Sequence, residues 1–99
     1  MTGLPPSPGT NWTDHEREEI GRLEALCRKL EHWELECTHT DAGDPWCVIC
    51  DRRREAVVLH VARIDRRYIV EWPPRQRSVT MATIESAIDI ALAELTVPP

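Results

Sequence analysis

Residues 44–72 read DPWCVICDRRREAVVLHVARIDRRYIVEW, and this stretch decides the fold of the 99-residue chain. Apolar and polar residues alternate within it, a period of two that is typical of β-strands. Charged pairs at 52–53 and 65–66 interrupt the alternation and predict two-residue hairpin turns. The stretch therefore predicts three consecutive antiparallel strands, at roughly 46–51, 54–64 and 67–72.

Turn placement determines which side chains share a face of this meander. A two-residue turn at 65–66 places Val61 opposite Val70, and paired residues of an antiparallel ladder point to the same side. A similar turn at 52–53 extends the pairing to the strand at 46–51. The predicted core face then collects almost only apolar residues, whereas the second face is mixed. The core face holds Trp46, Val48, Val57, Leu59, Val61, Tyr68, Val70 and Trp72, and the second face holds Cys47, Ile49, Asp51, Val58, His60, Ala62, Ile69 and Glu71.

Helical periodicity flanks the strands on both sides. Thr13 followed three residues later by Glu16 is the signature of a capping box, which predicts that a helix begins there. Residues 33–39 fit either a continuation of that helix or an alternating strand, and we favour the strand. A second apolar stripe predicts a C-terminal helix with Ser78 or Thr80 as its N-cap. The two stripes comprise Ile20, Leu23, Cys27 and Leu30, and then Ile84, Ala87, Ile88, Ala91, Leu92 and Leu95.

The predicted order of elements is a helix, three or four antiparallel strands and a helix. Two amphipathic helices and a sheet with one strongly apolar face bury their apolar surfaces against each other. We therefore expect an α+β, two-layer domain with both helices on one face of the sheet. Residues 1–11 contain three prolines and two glycines, so we expect a flexible tail there and a single domain over 12–97.

The composition is that of a folded, water-soluble protein, with 41% hydrophobic and 29% charged residues. The chain contains no long apolar run and its N-terminus does not resemble a secretory signal, so we expect a cytoplasmic protein with no membrane partner. In a reducing compartment we expect the four cysteines to be free thiols or metal ligands in preference to disulfides. The net charge of −5 argues against broad affinity for nucleic acid.

The segments DPWCVICD and VVLHVARIDRRYIV together resemble a segment of small uncharacterised bacterial proteins, in particular alpha-proteobacterial ones. The resemblance covers about residues 44–72, which is the predicted meander. It implies no activity and assigns no role to any residue.

Thiolates and imidazoles are the usual ligands of structural zinc, and the sequence offers four such side chains in a short span. The candidate metal ligands are Cys37, His39, Cys47 and Cys50. Their spacing permits a site with three cysteines and one histidine. The two residues between Cys47 and Cys50 are β-branched, however, and favour a strand, in which residues three apart point to opposite faces. We therefore expect packing roles for the cysteines and no cofactor, and keep a small zinc-binding domain as the alternative.

His60 and Glu71 form the candidate acid–base pair, because a carboxylate can orient an imidazole across two strands. Such a cross-strand pair is more often structural. No serine, threonine or cysteine is clearly placed as a nucleophile beside it, and the sequence has no glycine-rich phosphate loop. We therefore expect that the protein is not an enzyme.

Arginines in the two predicted turns are candidates for binding an anionic partner. Residues 51–77 hold eight arginines and four acids, whereas the flanking segments carry a net negative charge. The two turns close opposite ends of the meander and do not form one basic track, which makes nucleic acid an unlikely partner and leaves it as a further alternative. The residues concerned are Arg52, Arg53, Arg54, Arg66 and Arg67.

The second face of the sheet is the most suggestive feature of the sequence. An apolar centre with a polar rim is the usual composition of a protein interface. If both helices cover the other face, this one stays open, and a second copy of the chain or another protein could cover it, or could pair with an edge strand. We therefore expect a small interaction module that self-associates as a homodimer. The predicted interface residues are Ile49, Val58, His60, Ala62, Ile69 and Glu71.

Overall fold

The computed structural model describes residues 12–96, which fold into one five-stranded antiparallel sheet and two helices. The strands are neighbours in chain order, so the sheet is a simple meander, and the predicted α+β fold is confirmed. The predicted tail at 1–11 lies outside the described residues. The elements are α1 (Asp14–Lys29), β1 (Trp33–His39), β2 (Pro45–Asp51), β3 (Ala56–Ile64), β4 (Arg67–Trp72), a single 3-10 turn (Pro73–Arg75), β5 (Arg77–Met81) and α2 (Ile84–Thr96).

The start of α1 follows directly from local sequence. The Glu16 backbone N–H donates to Thr13 Oγ1 at 3.1 Å, and the Thr13 N–H donates to the Glu16 carboxylate at 2.8 Å, so the predicted capping box is confirmed. The helix ends at Lys29, after which Glu31 takes a left-handed conformation with φ 40°. This turn redirects the chain into β1, and the prediction of a strand at 33–39 is confirmed.

β5 replaces what we expected to be the beginning of the C-terminal helix. The 3-10 turn ends at Gln76, whose φ of 49° reverses the chain so that β5 pairs with β4. Ser78 and Thr80 therefore lie in a strand, and neither caps α2. Thr83 takes that role, with its Oγ1 accepting from the Ser86 N–H at 3.1 Å. Pro73 and Pro74 end β4, because proline cannot donate a hydrogen bond to the ladder, but the chain then forms a fifth strand after the 3-10 turn.

The register between β3 and β4 is the predicted one. Val61 pairs with Val70, and His60 pairs with Glu71. The connecting turn has positive φ at both central residues, 52° at Asp65 and 65° at residue 66, the conformation required by a type I′ hairpin. A two-residue turn of this kind sets the pairing of its strands without help from the rest of the chain.

The register between β2 and β3 differs from the prediction by three residues, since Trp46 pairs with Ala62, whereas a turn at 52–53 would pair it with Leu59. The turn occupies 52–55 and not 52–53, because the Asp51 carboxylate accepts from the Arg53 N–H at 2.9 Å and holds a longer turn. The ladder also shifts between Ile49 and Cys50, where a β-bulge accommodates Val58. Every side chain of β2 therefore points to the face opposite to the predicted one.

Both helices pack on one face of the sheet, as expected. The core between the layers uses the inward residues of β2, β3 and β4 together with the apolar stripes of α1 and α2. Cys47 and Ile49 are inside this core, whereas we expected Trp46 and Val48 there. The buried core cluster is Trp12, Ile20, Leu23, Cys27, Cys47, Ile49, Leu59, Val61, Val70, Trp72, Ile84, Ala87, Ile88 and Ala91.

One buried carboxylate ties α1 to the sheet. Glu16 is 3% exposed and accepts hydrogen bonds from Tyr68 Oη at 2.6 Å, from Arg63 Nη1 and from the Thr13 N–H. Burial raises the pKa of this carboxyl, but the three donors outweigh it and hold the pKa below its ordinary value. The group is satisfied on all sides, so we assign it a structural role.

Candidate functional site

The face of the sheet turned away from the helices is the candidate site, and we call it the open face. Its orientation follows from the alternation of side chains, since the neighbouring residues Arg63 and Tyr68 point inward to Glu16 on α1. Two rows of paired residues cross all five strands on this face. The first row is Thr38, Trp46, Ala62, Ile69 and Thr80, and the second is Glu36, Val48, His60, Glu71 and Ser78.

The centre of the open face is apolar and its margins are polar. Val48 and Ala62 are only 9% and 8% exposed, yet neither belongs to the core cluster under the helices. Their neighbours on the open face shield them, and the rings of Trp46 and His60 meet edge to face at a centroid distance of 5.0 Å. The face is therefore a packed apolar surface with threonines and glutamates at its edges.

The imidazole of His60 belongs to this packed surface. Burial lowers its pKa, and the nearby charge of Glu71, which raises it, does not compensate. The neutral ring is thus favoured at neutral pH. The paired neighbours of the ring, Val48 and Glu71, include no serine, threonine or cysteine that it could activate.

Four of the six predicted interface residues share the open face: His60, Ala62, Ile69 and Glu71. The other two predictions are wrong, because Ile49 is fully buried in the core and Val58 packs against it from the bulge. Trp46, Val48 and Cys50 occupy the open face in their place. The run DRRRE at 51–55 contained a signal for this outcome, since five polar residues are too many for a two-residue turn.

The four predicted metal ligands are not brought together. Cys37 faces Cys47 across β1 and β2, with the two Sγ atoms 3.0 Å apart, but Cys50 lies on the open face. His39 is at the end of β1, and its buried Nε2 has no hydrogen-bond partner within the described range. Over residues 12–96, no group of three or more His, Cys, Asp or Glu side chains is arranged to hold a metal ion.

The predicted arginine set divides into two groups at opposite ends of β3. Arg52 pairs with Glu34 at 3.3 Å, and Arg53 and Arg54 each lie 3.8 Å from the buried carboxylate of Asp51. Arg66 and Arg67 are exposed at the other end, about 30 Å away for a strand of nine residues. The arginines therefore do not form a continuous track for a nucleic-acid backbone.

Two clefts open on the helix side of the molecule. The first has a volume of about 420 Å³ and is lined by Cys27 and Cys37 among others. The second, of about 370 Å³, lies between the 52–55 turn and the end of α2 and includes Arg75, which sequence reasoning did not connect with that turn. Arg75 pairs with Glu94 at 3.1 Å, as Arg53 and Arg54 do with Asp51, so the positive charge of this cleft is largely compensated from within.

Comparisons with protein-family models, curated proteins and solved structures found no match to this chain. The resemblance of residues 44–72 to a bacterial segment therefore stays a prediction. No helix within residues 12–96 is long and apolar enough to cross a membrane.

Proposed function

We propose that this protein is a non-enzymatic interaction module that binds a second copy of itself through the open face of its sheet. The observation that carries the proposal is a five-stranded sheet whose helices both lie on one side and whose other side has a packed apolar centre. An apolar surface with a polar rim gains free energy when a partner removes it from water. Trp46, near its centre, belongs to the residue types that dominate binding energy at interfaces.

A second copy is the partner favoured by the order of residues along the first row. An interface with two-fold symmetry uses the same patch on both subunits, so the patch must be complementary to itself. The row begins and ends with threonine, Thr38 and Thr80, and is apolar between them. A two-fold axis parallel to β3 pairs apolar with apolar residues and threonine with threonine.

The charges agree with the same axis. Glu36 lies on β1 and Ser78 lies at the other end of the second row, on β5. The proposed axis brings β1 of one copy over β5 of the other and β2 over β4, so Glu36 meets a hydroxyl, Glu71 meets Val48, and neither meets another carboxylate. An axis perpendicular to the strands through the second row would instead place Glu36 over Glu36 and Glu71 over Glu71, which is unfavourable in a desolvated interface.

The size of the face is sufficient for a specific but modest interface. Five strands about 4.8 Å apart, each roughly seven residues long at about 3.3 Å per residue, give a face on the order of 500 Å². Two such faces bury on the order of 1,000 Å² when they meet, which is the lower limit for a specific interface. We therefore expect a reversible dimer with concentration-dependent assembly.

Sedimentation equilibrium over a range of protein concentrations tests the proposal. We expect a dimer for the natural chain and a monomer for Ile69→Lys, because a lysine in the first row would bury a charge in the interface. Ala93→Lys is the matched control, since Ala93 is exposed on α2, on the opposite side of the molecule. This variant should assemble like the natural chain.

Circular dichroism and a thermal melt establish that both lysine variants are folded. A natural chain that is still monomeric at millimolar concentration would refute self-association. Equal weakening of the dimer by Ile69→Lys and Ala93→Lys would assign assembly to another surface.

A further inference from the structure

Two cysteines meet on the inward face of the sheet in a geometry close to that of a disulfide. Cys37 on β1 pairs directly with Cys47 on β2, and their Sγ atoms are 3.0 Å apart. Directly opposed residues of antiparallel strands have Cα atoms about 4.5 to 5.5 Å apart, within the range that a disulfide spans. An approach of about 1 Å by the sulfur atoms would complete the bond.

The two thiols differ in environment in a way that suits reaction in a fixed order. Cys47 is 1% exposed, whereas Cys37 is only partly buried. The hydrogen bond between them lowers the pKa of the Cys37 thiol despite its burial. The same hydrogen bond, followed by burial, raises the pKa of Cys47. Cys37 is therefore the attacking thiolate of the pair.

The other two cysteines are less suited to attack. Burial raises the pKa of Cys27, with a smaller contribution from Glu24. Burial also raises the pKa of Cys50, which lies on the open face beyond reach of the pair. Among the four cysteines of the chain, Cys37 alone has a lowered pKa and also lines an open cleft.

The first cleft gives a small molecule access to Cys37. Its volume of about 420 Å³ is within the range of small-molecule sites. Arg28 and Arg52 lie on its wall, and each pairs with a glutamate of the same wall at 3.3 Å, Glu24 and Glu34 respectively. The charge of the cleft is therefore balanced from within, and its shape, not its charge, gives a small reagent access to the Cys37 sulfur.

We propose that Cys37 and Cys47 are a thiol-modification site that a small-molecule disulfide converts into an intramolecular disulfide. The Cys37 thiolate attacks one sulfur of the reagent, forms a mixed disulfide and releases the first thiolate. Cys47 loses its proton and attacks the Cys37 sulfur, which releases the second thiolate. Two protein thiols are oxidised, the reagent is reduced to two thiols, and the two protons pass to the leaving groups.

The bond would join the edge strand β1 to β2. In a reducing compartment such a disulfide is transient, so the modification is reversible and responds to the ratio of disulfide to thiol. The second step requires deprotonation of a deeply buried thiol and is expected to be the slow one. The two sulfur atoms need to approach by only about 1 Å, so the fold itself is retained.

Intact mass spectrometry of the full chain tests this inference. The folded protein is incubated with oxidised glutathione, then alkylated with N-ethylmaleimide in denaturant, and the adducts are counted. We expect four N-ethylmaleimide adducts per chain before oxidation and two after it. A proteolytic digest of the oxidised chain should contain a disulfide between Cys37 and Cys47 that dithiothreitol reduces. The natural chain alone suffices for this measurement, so it does not depend on any variant folding.

Two serine variants give the matched comparison. Cys50→Ser removes a thiol from the open face and should leave the loss of two adducts unchanged. Cys37→Ser should abolish it, with circular dichroism as the check that this variant is folded. Four adducts after oxidation of the natural chain, or a linkage that contains Cys27 or Cys50, would overturn the proposal. The adduct count and the linkage are read from denatured chains, so neither depends on whether the protein self-associates.

Discussion

Substituting Glu16 by glutamine should destabilise the protein more than any other change of a single charge on α1. The glutamine retains the shape of the side chain but replaces one acceptor oxygen with an N–H₂ group. That group can donate to the Tyr68 hydroxyl, which accepts as well as donates, while the remaining oxygen still accepts from Arg63 and from the Thr13 N–H. The substitution therefore keeps the hydrogen bonds but replaces those made to a carboxylate with weaker neutral ones.

The magnitude follows from these contacts. A hydrogen bond to a charged group contributes about 1.5 to 3 kcal/mol and a neutral one about 0.5 to 1.5 kcal/mol, so each bond that loses the charge is weakened by about 1 to 1.5 kcal/mol. The side chain of Arg63 is 27% exposed, so water recovers part of the loss. We expect the free energy of unfolding to fall by about 2 kcal/mol, which for a domain of this size lowers the melting temperature by roughly 8 to 16 °C.

Urea denaturation followed by tryptophan fluorescence measures the effect, with Glu18→Gln as the control. Glu18 is exposed on the same helix, and its substitution should change the free energy of unfolding by less than about 0.5 kcal/mol. A loss below about 1 kcal/mol for Glu16→Gln, or equal losses for the two variants, would refute the reasoning.

The pH dependence provides a second, independent check. The pKa of Glu16 is below its ordinary value of 4.5, so its stabilising contribution is present above pH 4.5 and is lost as the pH falls through the lowered pKa. The difference between the natural chain and Glu16→Gln should therefore shrink in acid. Burial, and then the bond to Glu16, raises the pKa of Tyr68 to about 12, so its contribution is lost as the pH rises from 10 to 12. Tyr68→Phe should lack that alkaline loss.

Two further predictions concern the core and the open face. Ile88→Ala should cost about 2 to 5 kcal/mol in urea denaturation, because Ile88 is fully buried, whereas Ile64→Ala on the open face should cost under about 1.5 kcal/mol. The pKa of His60 is lowered by burial, so the folded state binds fewer protons than the unfolded chain as the pH falls below 6.5. The contribution of His60 to stability, and to self-association, should therefore decline below pH 6.5, so the natural chain should lose more stability than His60→Gln as the pH falls; equal pH slopes for the two chains would contradict it.

Local chemistry accounts for the parts of the fold that sequence reasoning predicted correctly. The capping box of Thr13 and Glu16 needs only four consecutive residues. The β3–β4 hairpin needs only a turn in which Asp65 and the residue after it take left-handed conformations. Interactions between residues close in the chain are independent of the remaining fold, so the sequence alone reveals them.

The orientation of β2 required the whole structure. Alternation divides β2 into one set with Trp46 and Val48 and another with Cys47 and Ile49, and both sets are apolar. Burial free energy is nearly equal for the two, so the periodicity cannot tell which set faces the helices. The longer turn anchored by Asp51 and the bulge after Ile49 decide it.

The sequence by itself determined the cap of α1, the β3–β4 hairpin register and the placing of a sheet between two helices, but it missed β5 and the Thr83 cap of α2. Only the tertiary structure decided that Trp46 lies on the open face and that Cys37 meets Cys47. Both arrangements depend on how one strand is rotated and aligned against another, and long-range packing beneath the two helices sets that alignment. The candidate surface and the candidate thiol pair are consequences of that single choice of register.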